Sequence, residues 1–276
     1  MKKIVLILLF QISAFSLFAQ VDRVKVFRDT RIVNGHSTEV LPKGMMKFII
    51  SHRFGAISSG VQQLWGLDNS TIRIGLDYAI SDNINIGFGR SSLQKHYDFY
   101  LKYRLLQQKN DGGSPVSLAY YTNAAIRTIQ TPQTEDLSFN NNLSYVHQLL
   151  LSRKFNDFVS FQIMPTYVHR NFVLDLESNN DIYSLGTAGR FQVTKVMAFN
   201  LEYYFNLPDQ LASQYNSSAG LGIELETKGH IFQLNFTNSL GMIAPLYVAE
   251  TTGMIGKGDI HFGFNITRDF KVGARK

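Results

Sequence analysis

From about residue 45 to residue 270, apolar and polar residues alternate one by one over stretches of roughly ten residues. Successive side chains of a strand point to opposite faces, so each stretch folds as a strand with one apolar face. Thr71–Ile80 is the clearest case: Ile72, Ile74, Leu76, Tyr78 and Ile80 share one face, and Thr71, Arg73, Gly75, Asp77 and Ala79 the other. The pattern predicts twelve strands, over 45–55, 70–80, 83–91, 94–107, 115–126, 142–155, 158–169, 181–193, 196–206, 217–227, 229–240 and 257–270. Leu149, Leu150 and Leu151 sit side by side and Pro165 has no N–H to give a ladder, so the facing of the sixth and seventh strands stays open.

The connections carry a second pattern. From the fifth onward they alternate between long and short, and only the third and fourth depart from the alternation. An up-and-down meander with both termini on one side produces this, with short turns at one rim and long loops at the other. The polar face is rich in Gly, Asn, Ser and Thr with single charges, while the other face carries Phe, Tyr, Ile and Leu to the strand ends. Tyr78, Tyr97, Tyr103, Tyr203 and Phe205 fall at or near those ends, where an interfacial girdle belongs. An even number of amphipathic strands about ten residues long suits a tilted membrane crossing, and closure removes every sheet edge. The expected fold is all-β: a closed antiparallel up-and-down transmembrane β-barrel of about twelve strands with both termini periplasmic.

Composition narrows the rest. Charged residues make up only 17% of the chain and cysteine is absent, which excludes disulfide scaffolds, zinc ribbons and lipid attachment at an N-terminal Cys. Beyond the first twenty residues no run of eighteen apolar residues exists, so no transmembrane helix is expected. Lys2 and Lys3, an apolar stretch to Phe18 and small Ala19 before Gln20 read as a secretory signal peptide. The domain reading is a signal peptide at 1–19, an N-terminal periplasmic or lumen-entering segment at 20–43, a barrel at 44–272 and a tail at 273–276. Without the two leader lysines the formal charge of +6 drops to about +4, too modest to expect nucleic acid as a partner. The last strand ends near Phe270, an aromatic of the kind outer-membrane assembly machinery recognises, although six residues follow it.

No reaction chemistry stands out. The seven histidines form no His-x-x-x-His or Glu-x-x-His pair, and neither a nucleophile elbow nor a phosphate loop occurs, so no metal, cofactor or catalytic residue is expected. Gly87 and Gly89 sit within a strand, where they clear interior space. Asn34, His36 and Ser37 hold the residue types of a hydrolytic triad, but adjacent His36 and Ser37 do not readily converge. They read as a turn or as part of a plug. Trp65, the only tryptophan, falls in the first long loop as an interface anchor or a mouth residue. The apolar loop 241–256 folds inward as a constriction or meets a partner.

The candidate lumen-lining charges are Lys47, Arg53, Arg73, Lys102, Arg104 and Arg190, with Asp77, Asp98, Glu202, Glu224, Glu226 and Asp259. In a closed lumen they must pair; in a wet one they set a field across a pore. An apolar cargo does not suit them.

Several strings occur together: Thr30-Arg31-Ile32-Val33-Asn34-Gly35-His36-Ser37, Leu41-Pro42-Lys43-Gly44, His52-Arg53-Phe54-Gly55, Gln63-Leu64-Trp65-Gly66-Leu67-Asp68 and Gly263-Phe264-Asn265-Ile266-Thr267-Arg268. On them the mature chain resembles an uncharacterised β-barrel family of Gram-negative outer membranes, defined as a domain of unknown function. The resemblance implies a barrel, its lipid and its membrane, and no activity. The first functional expectation is a small-solute channel with a polar, mixed-charge lumen. The alternative is a non-conducting structural barrel plugged by its N-terminal segment, binding a periplasmic or outer-membrane protein. A barrel-borne hydrolase using His36 and Ser37 comes third.

Overall fold

The computed structural model describes residues 23–132, 135–173 and 177–272. The expected signal peptide at 1–19 and tail at 273–276 lie outside the described residues. Twelve strands follow one another: β1 (Met45–Ala56), β2 (Ser70–Ser81), β3 (Ile84–Ser91), β4 (Tyr97–Leu106), β5 (Ser117–Ile126), β6 (Leu143–Lys154), β7 (Val159–Arg170), β8 (Asp181–Gln192), β9 (Met197–Asn206), β10 (Ala219–Thr227), β11 (His230–Thr237) and β12 (His261–Lys271). Each pairs antiparallel with the next, and β1 pairs with β12 from Met45↔Lys271 to Ala56↔His261, which closes the barrel. A helix of one and a half turns, α1 (Ala244–Ala249), lies in the connection between β11 and β12.

The alternation sets the two faces as the sequence predicts. On β2, Ile72, Ile74, Leu76, Tyr78 and Ile80 are exposed outward, while Arg73 and Asp77 are buried inward. Tyr78, Tyr97, Tyr103, Tyr203 and Phe205 all face out near strand ends. Both ends of the β-wall leave by one rim, with the connections 82–83, 107–116, 155–158, 193–196 and 228–229; the longer loops crown the other rim.

The ten-residue connection 107–116 is the long member of the short-turn rim, and it has a specific task. Arg23 forms a bridge with Lys109, and the Val24 N–H donates to the Gln108 carbonyl at 3.0 Å. That turn therefore holds the chain as it passes inward, and an apolar cluster shows where the chain goes. Val26, Phe27, Ile32 and Val33 of the N-terminal segment are buried against inward-facing Leu150, Met164, Val168 and Ile182, together with Tyr247, Val248 and Ala249 from α1. The inner face of β5–β8 therefore carries an apolar patch, set among Ser, Gln and Thr, where it packs on these two inserted pieces. This is also why β6 and β7 carry apolar residues on both sides. At Pro165 the β6–β7 ladder omits two pairs between Gln148↔Thr166 and Leu151↔Ile163, with no change of register.

Candidate functional site: the occupied lumen

The segment 30–37 turns back on itself inside the barrel. Ile32 N–H donates to the Gly35 carbonyl at 2.9 Å and Ser37 N–H to the Thr30 carbonyl at 3.1 Å, with Arg31 opposite His36, so these residues form a hairpin with Val33 and Asn34 at its tip. Three successive backbone N–H groups at the tip converge on one carboxylate. Val33, Asn34 and Gly35 donate to Glu202 at 3.3, 3.1 and 2.9 Å. Such a run of N–H groups is an anion-binding nest, here filled by the wall's own Glu202. Gly35 is required by this approach, because a Cβ there would stand 2.4 Å from the Tyr204 hydroxyl.

The wall's charges are segregated by sector. Lys47, Arg53, Arg73, Lys102 and Arg104 project inward from β1, β2 and β4, where Asp77 and Asp98 accompany them; Glu202, Glu224 and Glu226 project from β9 and β10, where Arg190 of β8 joins them. In a closed ring of twelve strands these sectors face each other across the lumen, and the hairpin lies between them. It answers both. Lys47 pairs with Asp29 of the segment, whose other oxygen accepts from Thr267 at 2.8 Å. Lys102 donates to the carbonyls of Thr30 and Ser37 at 3.3 and 2.9 Å. Arg53 donates to Asn34 Oδ1 at 3.1 Å and the Val33 carbonyl at 3.4 Å. Two wall pairs are independent of the hairpin: Arg73 with Asp98 at 2.6 and 2.9 Å, and Arg190 with Glu224 at 2.9 and 3.1 Å. Gly87 and Gly89 clear the way for the side chains that cross β3, since a Cβ would stand 2.0 Å from the Tyr100 ring and 2.2 Å from the Arg73 guanidinium, respectively.

At the mouths, Arg104 bonds the 82–83 turn and Glu226 pairs with Arg28. Asp259 is a correction. It does not line the lumen, because β12 begins only at His261 after the left-handed Gly258 (φ 75°). Asp259 accepts from the Ser58 hydroxyl at 2.6 Å and the Met254 N–H at 3.2 Å, tying two long loops together. Trp65 is exposed on the long-loop rim. Of the two fates expected for loop 241–256, the inward one is found: α1 is wholly buried, and the Val248 carbonyl accepts from Asn206 at 2.9 Å.

His36 and Ser37 do not form a nucleophile–base pair. Ser37 Oγ donates to the Asp29 carbonyl at 2.6 Å, whereas the His36 ring lies 4.6 Å from Tyr100 and 4.2 Å from Tyr121 between centroids. Burial, with Arg31, Lys102 and Arg73 nearby, holds the imidazole well below its ordinary range and so uncharged. A released hairpin would take up a proton near pH ~6.5 that the docked one refuses. The His36 contribution to docking is therefore fully present above that pH and is lost as the pH falls below it. Glu39, raised by burial, works in the opposite sense. Between pH 7.5 and 5.5 the His36 contribution weakens docking about tenfold. Tryptic cleavage after Arg31 should be faster at pH 5.5 than at 7.5 by about that factor relative to a His36→Phe variant, after correction for the protease's own pH profile.

Residues 27–270 match the family described as membrane bound beta barrel domain (DUF5777). The chain belongs to this family. Its fold is also similar to solved porins. NanC porin superposes with a TM-score of 0.52 at 10% identity, covering 82% of this chain and 100% of that one. KdgM porin gives 0.51 at 9%, covering 81% and 99%. At these identities the likeness is one of fold. No curated protein matches the sequence. The family match fixes the environment of the outward face: it meets lipid.

Proposed function

We propose that this membrane-bound barrel is an outer-membrane channel for small polar solutes, closed at rest by its own N-terminal hairpin. One observation carries the reading. Charges that face each other across the lumen, Lys47, Arg53 and Lys102 on one side and Glu202 on the other, are answered by the N-terminal segment lying between them. Removing it uncovers Lys47, Arg53 and Lys102 on one side and Glu202 on the other, the lining of a polar pore with a transverse field. The resemblance in fold to porins supports this use. The short-turn rim faces the periplasm, and the hairpin enters from there.

A second reading, a permanently plugged barrel that binds a protein partner, is favoured by α1. This helix narrows the lumen from the long-loop side whatever the hairpin does. Flux through proteoliposomes separates the two. The channel reading expects slow swelling in arabinose with the intact chain and at least about tenfold faster swelling when residues 23–40 are deleted, scaled by the docking energies involved. Equal, background swelling from both folded proteins sinks it.

A further inference from the structure

The lipid-facing wall carries a sector around Asp181 that does not suit hydrocarbon. Among the described residues, Asp181 is the one carboxylate on the outward face of a strand. It heads β8 at the long-loop rim, and its side chain is 49% exposed. Its Oδ1 accepts from both the Tyr167 hydroxyl at 2.6 Å and His169 Nδ1 at 2.7 Å. The network continues away from the rim: the Tyr167 ring stacks by His147 with centroids 6.1 Å apart, and His147 Nδ1 bonds the Tyr120 hydroxyl at 2.6 Å. Polar groups at membrane depth are costly unless satisfied or used. Oδ1 and its two donors satisfy one another, whereas Oδ2 has no partner among the described residues.

A second feature meets this one. A notch of about 580 Å³ opens beside Asp181, lined by the amide side chains Asn179, Asn180 and Gln210 and by Tyr183, Leu207 and Pro208. The notch thus offers amides and apolar surface side by side. The Tyr183 ring, 5.3 Å from Tyr167 between centroids, flanks the carboxylate. A carboxylate with one open oxygen, neighbouring aromatic rings and apolar side chains beside it match a positively charged headgroup that carries an acyl chain.

We propose that the notch at the long-loop ends of β8 and β9 binds a lipid whose headgroup carries an ammonium, and that Asp181 recognises it. The proposal needs only the lipid-facing wall and is independent of the hairpin. The test uses the full chain in detergent micelles, given phosphatidylethanolamine or phosphatidylglycerol at equal concentration, with retained lipid counted by native mass spectrometry. The wild type should retain phosphatidylethanolamine over phosphatidylglycerol by about tenfold. Asp181→Asn keeps an acceptor for Tyr167 and His169 but removes the charge, and should bring the two lipids to near parity. Tyr183→Leu should lower retention of phosphatidylethanolamine while leaving the wall apolar. Heat-modifiable migration on gels confirms that each variant is a folded barrel. Parity in the wild type, an undiminished preference in Asp181→Asn, or a mass of two chains without retained lipid would each overturn the proposal.

Discussion

Replacing Glu202 with Ala should open the barrel. Its carboxylate accepts from three backbone N–H groups at the hairpin tip, and hydrogen bonds to a charged group are worth about 1.5–3 kcal/mol each. The three are not additive, because they share one carboxylate and water can reach the released groups. A net loss of about 3 kcal/mol shifts the docked-to-released ratio about 150-fold. In planar bilayers the expected result is frequent, resolvable openings where the wild type is mostly silent. Glu202→Gln, which keeps an acceptor oxygen, should fall between the two. Openings unchanged in both variants would mean that the nest does not hold the hairpin.

The second large effect is on stability. Arg73 is fully buried and gives Asp98 two hydrogen bonds, at 2.9 and 2.6 Å. Asp98→Ala strands a guanidinium in the lumen wall, and breaking a buried pair from one side costs about 3–5 kcal/mol. Urea unfolding in lipid micelles should show a correspondingly lower midpoint with an unchanged slope. The double variant Arg73→Met, Asp98→Leu removes both charges and should recover most of the loss, because the desolvation cost disappears with them. If Asp98→Ala matches the wild type, then Asp77 or water already neutralises Arg73.

Much of the barrel was legible because each face of a strand meets a single medium. On β2 every second residue meets lipid, so the alternation is clean and the strand ends fall within one residue of the expected ones. It blurred where the inner face meets protein. The inward residues of β6 and β7 include Val146, Leu150, Met164 and Val168, which are apolar because the hairpin and α1 lie against them. Nothing in a single strand announces a partner about a hundred residues away. Asp259 was misplaced for a local reason: the alternation runs on through Gly258, but that residue's left-handed backbone ends the ladder before β12 starts.

The candidate site was half legible. The charges on β1, β2, β4, β9 and β10 follow from register alone. Their pairing does not, since Lys47 meets Asp29 and Glu202 meets the N–H groups of Val33 to Gly35, contacts that depend on the path of a polar segment with no periodicity. Asn34 and Gly35 did signal a turn, and the hairpin's tip lies at Val33 and Asn34. Asp181 gave no signal, because a single carboxylate at the start of a strand looks like any loop residue.

The chain contains no cysteine, so a reversible clamp can be built without background. Thr38 Oγ1 of the hairpin segment lies 2.6 Å from Ser152 Oγ on β6, a near-isosteric place for a disulfide. The most direct test of closure by the hairpin is single-channel recording of the Thr38→Cys, Ser152→Cys double variant, with Glu202→Ala added so that the unclamped barrel opens. Oxidised, it should be silent; after reductant reaches it, the openings of Glu202→Ala should appear, and reoxidation should abolish them. Openings of the same size and frequency in the oxidised and reduced barrel would contradict the account, because the lumen would then conduct with its hairpin fixed in place.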